Sequence, residues 1–150
     1  MQLLIRDARS DDAGQIAELL DELGYAVGVE RVRQHLEQGG ERVMVAERQG
    51  RLLGMATVAI QSVLASPGRT ARLTAIVVRS DARRGGVGRA LIEAAVAHAR
   101  EQGCVGVELT SGLRPGREAA HTFYPALGFR RTSYRYWLPL GGEAGLSGSS

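Results

Sequence analysis

The clearest hydrophobic pattern in the chain runs through residues 87–99, where apolar side chains recur every three or four positions. This period is typical of an amphipathic helix with one face in a protein core. Gly103 follows the pattern and marks the end of the helix. Similar spacing predicts two shorter helices earlier in the chain, one capped by Ser10 or Asp11 and one over residues 29–38.

Runs rich in Val, Ile, Thr and Leu predict the strands between these helices. The runs on either side of Gln49-Gly50 predict a hairpin, and Pro125 predicts that the last helix ends or kinks near Tyr124. The element order mixes an antiparallel meander with a strand–helix–strand crossover, which favours one parallel strand pair. The strands are predicted over residues 2–6, 42–48, 51–60, 70–78, 104–110 and 129–140, and the last helix within 117–128.

The composition is that of an ordinary globular protein, with 150 residues of which 44% are hydrophobic and 23% charged. We expect one domain over residues 1–140 and a disordered tail over 141–150. The net charge of +3 is spread along the chain, which argues against a nucleic-acid partner. Cys104 is the only cysteine, so an intrachain disulfide is excluded and a metal cluster is not expected. No apolar run suggests a membrane span or a signal peptide, so we expect a cytoplasmic protein.

The stretch SDARRGGVGRAL, residues 80–91, joins a predicted strand to the long helix. A helix N-terminus exposes unpaired N–H groups and carries partial positive charge, so it can bind phosphate. Gly86 and Gly88 let the backbone approach an anion closely, and the three arginines of the stretch can add charge-assisted hydrogen bonds. The stretch therefore predicts an anion-binding loop, with a flexible turn that carries surface arginines as the alternative.

Three phosphate-binding patterns could apply to this loop. A P-loop requires a lysine, and the chain contains none. A dinucleotide-binding fingerprint requires a third glycine at the position of Leu91. The pattern R-x-x-G-x-G of acyl-coenzyme A binding is satisfied by Arg83, Gly86 and Gly88. Acyl-coenzyme A is therefore the ligand that the spacing favours.

Two segments together resemble the GCN5-related N-acetyltransferase (GNAT) family. Residues 75–104, AIVVRSDARRGGVGRALIEAAVAHAREQGC, resemble its coenzyme-binding strand, loop and helix. Residues 119–129, AAHTFYPALGF, resemble its second signature. With the element order included, the resemblance covers residues 2–139. It implies the GNAT-like acyl-CoA N-acyltransferase fold, a mixed α/β (α+β) domain in which a mostly antiparallel twisted sheet is flanked by helices.

The resemblance implies acetyl-coenzyme A (acetyl-CoA) as co-substrate and no metal. In the family, the strand before the glycine loop exposes backbone groups to the pantetheine arm, and the loop amides hold the pyrophosphate. A later loop and helix also pass the coenzyme. The implied coenzyme-binding residues are Ile76, Val77, Val78, Arg83, Arg84, Gly85, Gly86, Val87, Gly88, Arg89, Ser111, Arg117 and Ala120.

The implied reaction is direct attack of an amine on the acetyl thioester in a ternary complex. A backbone N–H near Val77 or Val78 would polarise the thioester carbonyl. Tyr124 matches the family tyrosine that gives a proton to the leaving thiolate, a general-acid role. The alternative for Tyr124 is a core aromatic beside Phe123.

The general base is the part of the family pattern that this chain lacks. Many relatives carry a glutamate on the strand before the glycine loop, where Thr74 stands here, and a threonine cannot act as the base. Glu108, His121 and a chain of waters are the candidates left.

The resemblance implies a small-molecule amine as acceptor, lying against the first two helices and the final strand. Asp21, Glu22 and Tyr25 are candidate contacts for a cationic amine. A protein or peptide amine is the alternative acceptor, and a non-catalytic coenzyme-binding module is the alternative from another class. A homodimer is common in the family, and the aromatic residues of the predicted strand over 129–140 are a candidate interface.

Overall fold

The computed structural model describes residues 2–110 and 118–141, with side chains in the last helix from residue 122 onward. The predicted helices and the first strands are confirmed, with small changes at their ends. In chain order the elements are β1 (Leu4–Asp7), α1 (Ala13–Glu22), α2 (Val29–Gln38), β2 (Arg42–Arg48), β3 (Arg51–Ser62), β4 (Arg69–Val78), α3 (Val87–Glu101), β5 (Cys104–Leu109) and α4 (Glu118–Ala126).

The strands form one sheet in the order β1-β2-β3-β4-β5, and the first four pair antiparallel in succession. Gln49 and Gly50, with φ of 53° and 79°, form the predicted hairpin turn. β5 lies beside β4 after the α3 crossover. Gly68 lies against Val105, and Arg72 pairs with Glu108, so the contacts advance in the same direction along both strands. Both contacts agree with the predicted parallel pair.

The helices of the first unit cover both faces of the sheet. On one face, Ile16 and Leu19 of α1 pack with Val45 and Val77 in a buried cluster. On the opposite face, α3 comes so close that a Cβ at Gly54 would lie 3.1 Å from the side chains of both Val87 and Leu91. The absence of a side chain at Gly54 therefore allows α3 to pack closely against β3.

The start of α1 differs from the predicted cap at Ser10 or Asp11. A short 3-10 turn over Ser10–Asp12 comes first, and the carboxylate that receives the local N–H is that of Asp12. Asp12 is buried and accepts two hydrogen bonds of 2.8 and 3.0 Å from the Arg6 guanidinium. Those bonds hold the pKa of Asp12 below its ordinary value of 3.8, although burial opposes the shift. The ion pair ties β1 to the start of α1.

The chain divides into two compact units, residues 1–108 and 109–150. The described part of the second unit consists of Leu109, Thr110, α4 and the segment after α4. α4 ends one residue beyond Pro125, and Gly128 follows with a φ of 97°. The expected tail over 141–150 lies outside the described residues beyond Gly141.

The prediction of a final strand over residues 129–140 is wrong. The structure assigns no strand there, and the side chains of Tyr134, Tyr136 and Trp137 are exposed. The Arg135 guanidinium lies 5.2 Å from the centre of the Trp137 ring. A strand needs a partner for its backbone hydrogen bonds, and the aromatic alternation that suggested one carries no information about that partner.

Candidate functional site

The glycine loop forms a turn that leads directly into α3. Gly86 is the N-cap residue of α3 and has a φ of 85°, a conformation that favours glycine. The first helical hydrogen bond runs from the Ala90 N–H to the Gly86 carbonyl oxygen. The N–H groups of Val87, Gly88 and Arg89 precede it and have no acceptor within the helix. The loop thus presents a row of backbone donors at a positive helix end, which is an anion-binding arrangement.

The charge of the loop is mainly positive. Arg83, Arg84 and Arg89 are exposed, and Arg89 pairs with Glu93 at 3.2 Å within α3. Asp81, the only acid in the stretch, is paired with Arg51 of β3 at 2.7 Å. That pair lowers the pKa of Asp81, so the carboxylate stays ionised. The positive charge of Arg51 balances it. An incoming phosphate therefore meets little repulsion from the loop.

Arg79 fixes the start of the loop. Its side chain is buried and donates a 2.7 Å hydrogen bond to the Leu52 carbonyl oxygen. The same guanidinium reaches Glu18 at 3.3 Å and Glu22 at 3.6 Å on α1. Glu22 also accepts a hydrogen bond from the Ser80 N–H. These contacts join β4, β3 and α1 where the anion-binding loop begins.

The second half of β4 extends past β5. Arg72 is level with Glu108, and β5 ends one residue later. The Arg79 N–H bonds to the Leu53 carbonyl oxygen, so the backbone groups of Arg79 face β3. Backbone groups of every second residue face the same neighbour, so those of Val77 face β3 as well.

Ile76, Val77 and Val78, which are expected to contact the pantetheine arm, therefore do not all direct their backbone groups to the same side of β4. The backbone groups of Ile76 and Val78 face away from β3, along the edge of β4 on the side of β5 but past the end of that strand. The Val78 carbonyl oxygen on that edge accepts a 3.3 Å bond from Arg83. Val77 is turned toward β3 and its side chain lies in the core.

A β-bulge lies at the inner end of this open edge. Thr57 of β3 pairs with Ala75 and Val58 pairs with Leu73, so Thr74 is the extra residue. A bulge locally increases the twist of a strand, which helps to separate it from a neighbour. The Thr74 hydroxyl contacts the Thr57 hydroxyl at 2.5 Å and donates to the Glu41 carboxylate. Thr74, which stands where the family resemblance implies a base, is thus hydrogen-bonded to the carboxylate of Glu41, the residue before β2.

The candidates for a base have different surroundings. Glu108 is exposed on β5 and paired with Arg72 at 3.0 Å. His121 lies in α4, but its side chain is outside the described ones. Of the acceptor candidates on α1, Glu22 is occupied by Arg79 and Ser80, whereas Asp21 is exposed. Sequence reasoning missed Glu41, and the only signal for it was a glutamate just before a predicted strand.

The second unit carries the Phe-Tyr…Gly-Phe signature. Tyr124 is buried, and its ring makes edge contacts with Phe123 and Phe129 at centroid distances of 5.3 and 5.9 Å. Ala120 lies in α4, whereas Ser111 and Arg117 lie outside the described residues.

A cleft of about 490 Å³ adjoins the glycine loop on the side of the β2–β3 hairpin. It is lined on one side by Arg48 and Arg51 and on the other by Asp81, Arg83 and Gly85. Within the described ranges, no cluster of three or more His, Cys, Asp or Glu side chains could hold a metal ion. Across the same ranges, no helix has the length and apolar character needed to cross a membrane.

Comparison with known proteins agrees with this geometry. The model of the acetyltransferase (GNAT) family matches residues 5–129. An acetyltransferase structure from Trypanosoma brucei is 28% identical, with a TM-score of 0.79 over 93% of this chain and 100% of that one. A search of curated proteins gave no significant match.

Two further structures share the fold at lower identity. Glucosamine-6-phosphate N-acetyltransferase from Arabidopsis thaliana is 22% identical, with a TM-score of 0.79 over 94% of this chain and 100% of that one. An aminoglycoside N-acetyltransferase in complex with CoA is 19% identical, with a TM-score of 0.78 over 92% of this chain and 94% of that one. The predicted fold class is confirmed.

Proposed function

Because the chain belongs to the GNAT family of acetyltransferases, we propose that it transfers the acetyl group of acetyl-CoA to a primary amine of a small molecule. The observation that carries the proposal is the junction of two features at the end of β4. A helix N-terminus with free N–H groups lies beyond the strand, and an uncovered backbone edge leads back from it. Such a junction suits a long ligand with an anionic centre and a polar, extended arm.

The loop residues fit the pyrophosphate of the coenzyme. The N–H groups of Val87, Gly88 and Arg89 would donate to its oxygens, and Gly86, whose positive φ favours glycine, has no side chain to obstruct them. The Arg83 and Arg84 guanidinium groups would add charge-assisted bonds. Gly85 completes the turn, so residues 83–89 act together as the phosphate cradle.

The open edge of β4 fits the pantetheine arm. The Ile76 backbone and the Val78 N–H are the groups available for hydrogen bonds, and Val77 supports the edge from the core side. An arm that starts at the cradle and follows this edge brings its acyl end toward the bulge at Thr74. Ser111, Arg117 and Ala120 are proposed as further coenzyme contacts on the resemblance alone.

The reaction is acyl transfer by direct attack. The neutral amine attacks the thioester carbonyl carbon, and the Ile76 N–H would stabilise the negative charge that develops on the carbonyl oxygen. The C–S bond then breaks, and the Tyr124 hydroxyl would donate the proton that the thiolate needs. The position of Tyr124 in the Phe-Tyr…Gly-Phe signature supports this role.

The acceptor class is proposed from two observations. Structures that share the fold include enzymes named for aminoglycoside and glucosamine-6-phosphate substrates. The α1–α2 face of the sheet also carries exposed carboxylates, among them Asp21, which would attract an ammonium group.

The experiment is a thiol-release assay with acetyl-CoA and a panel of amines that includes aminoglycosides, amino sugars and a lysine peptide. We expect at least one small amine to accelerate thiol release. Tyr124→Phe should lower kcat by about 10²-fold, whereas Tyr134→Phe, at an exposed tyrosine of the same unit, should leave it unchanged. If acetyl-CoA binds but no amine accelerates thiol release, the protein is a coenzyme-binding module and the proposal fails. If only the lysine peptide accelerates thiol release, the acceptor is a protein or peptide amine and not a small molecule.

A further inference from the structure

We propose that Glu41 is the general base that takes the proton from the acceptor amine, in place of the glutamate that Thr74 replaces. The inference deepens the proposed function and depends on it. Glu41 is the residue before β2, and its side chain is 26% exposed. It is close enough to solvent to meet a substrate, yet it is held by contacts from two other elements.

Those contacts fix both oxygens of the carboxylate. The Thr74 hydroxyl bonds to Oε2, and His35 Nε2 of α2 bonds to Oε1 at 2.9 Å. A carboxylate can only accept hydrogen bonds, so Thr74 and His35 are both donors. A carboxylate has about four acceptor positions, and these two bonds leave capacity for an ammonium proton.

The direction of the hydroxyl bonds follows from the same limit. Each hydroxyl has a single proton, and Thr74 gives its proton to Glu41. In the 2.5 Å hydrogen bond between the Thr57 and Thr74 hydroxyl groups, Thr57 must therefore be the donor. Thr57 is buried, so this chain of hydroxyl groups is anchored in the sheet and presents Glu41 in a fixed orientation. Thr57 and Thr74 are positioning residues.

Glu41 lies where the acyl group is expected. Thr74 is the bulge residue directly before Ala75, and the open edge of β4 begins there. Val43 and Val45 of β2 pack into the core against α1 and α2, so the alternation of the strand places Glu41 toward the same face. Glu41 therefore lies next to the bulge and on the side of the sheet where the acceptor is expected.

Apart from His35, the charged groups around Glu41 are engaged with other partners. Arg42, the next residue, pairs with Asp7 at 2.7 Å and bonds to His98. Arg72 on β4 pairs with Glu108. From α2 the facing group is His35, and β3 and β4 contribute hydroxyl groups. Within residues 2–110 the ion-pair partner of Glu41 is His35, which is charged only when protonated, so no arginine competes with an ammonium group for the Glu41 carboxylate.

Every proton in the proposed transfer has a donor and an acceptor. The ammonium group gives one proton to Glu41, and the neutral nitrogen forms the C–N bond with the carbonyl carbon. As the C–S bond breaks, the thiolate takes a proton from the Tyr124 hydroxyl, and the nitrogen loses its second proton to water. Tyr124 regains a proton from water, and Glu41 releases its proton to solvent. The net products are the amide, free coenzyme A and one proton.

The test uses Glu41→Gln in the full-length protein, with Glu37→Gln on α2 as the matched control, since Glu37 is an exposed glutamate nearby with the same charge. We expect Glu41→Gln to lower kcat near neutral pH by about 10²-fold or more, with an unchanged Kd for acetyl-CoA. The loss should shrink as the pH approaches the pKa of the amine, because the amine then arrives already neutral. Thr74→Val should give a smaller loss of kcat, and Thr74→Ser should retain activity.

The outcomes separate the two proposals. A wild-type protein that releases no thiol with any amine overturns the proposed function and this inference with it. An active wild type whose Glu41→Gln variant matches Glu37→Gln in rate overturns the inference alone. So does a folded Glu41→Gln variant, judged by circular dichroism, whose activity falls by the same factor at every pH. Loss of rate that is recovered at high pH confirms the role of Glu41.

Discussion

Arg79 Nε donates a 2.7 Å hydrogen bond to the carbonyl oxygen of Leu52, and the bond joins the end of β4 to β3. The Arg79 backbone N–H makes a second bond, of 2.8 Å, to the next carbonyl oxygen along β3, that of Leu53. The loop that follows therefore starts from a fixed point, so its donors do not have to be ordered when an anion binds.

Replacement of Arg79 should destabilise the fold and loosen the loop. We expect Arg79→Met to lower the free energy of unfolding by about 2 kcal/mol, because the Leu52 carbonyl loses its charged donor in a buried place. Arg33→Met removes a surface pair with Glu30 and should cost at most about 0.5 kcal/mol. Urea unfolding measures both variants, and equal effects would show that Arg79 is an ordinary surface arginine.

Gly54 should not tolerate a side chain. A Cβ there would lie 2.7 Å from the Val77 carbonyl oxygen as well as against α3. We expect Gly54→Ala to destabilise the protein by about 1–3 kcal/mol, the cost of overpacking. Gly14→Ala is the matched control, since Gly14 is a helical glycine in α1 with open space around it. Denaturant unfolding of the two variants compares them, and a neutral Gly54→Ala would contradict the close packing of α3.

His98 predicts a pH dependence of stability. Burial, and then the charge of Arg42, lower its pKa below the ordinary 6.5. Arg42 donates to Nδ1 at 2.7 Å, so the folded state favours the neutral ring. The unfolded chain gains a proton first as the pH falls, so the contribution of His98 is complete above pH 6.5 and is lost below it.

The measurement is the free energy of unfolding at pH 7.5 and 5.5 for the wild type and for His98→Gln. We expect the wild type to lose more stability than the variant over this interval. An equal loss in both proteins would mean that the protonation of His98 is not coupled to folding.

The parts of the molecule that the sequence predicts well depend on local interactions. The hairpin at Gln49-Gly50 needs only two residues that accept positive φ, and both adopt it. The α3 helix follows from its apolar period and the glycines at its ends, and the row of unpaired N–H groups follows from the position of Gly86 at its start.

The parts that the sequence misses depend on contacts between distant residues. Glu41 and Thr74 are 33 positions apart and meet only because β2, β3 and β4 align in one sheet with a bulge at Thr74. The incorrect strand over 129–140 has the same cause, because strand pairing is decided by a partner and not by alternation within the segment.

We propose that the loop around Gly86 holds the pyrophosphate of acetyl-CoA, and calorimetric titration of the coenzyme tests this role most directly. Gly86→Glu places a carboxylate beside the free N–H groups of α3 and should abolish binding through repulsion and obstruction. Gly103→Glu introduces the same residue at another positive-φ glycine, just beyond the opposite end of the helix, and should bind as the wild type does. Equal affinity of Gly86→Glu and the wild type would contradict the account.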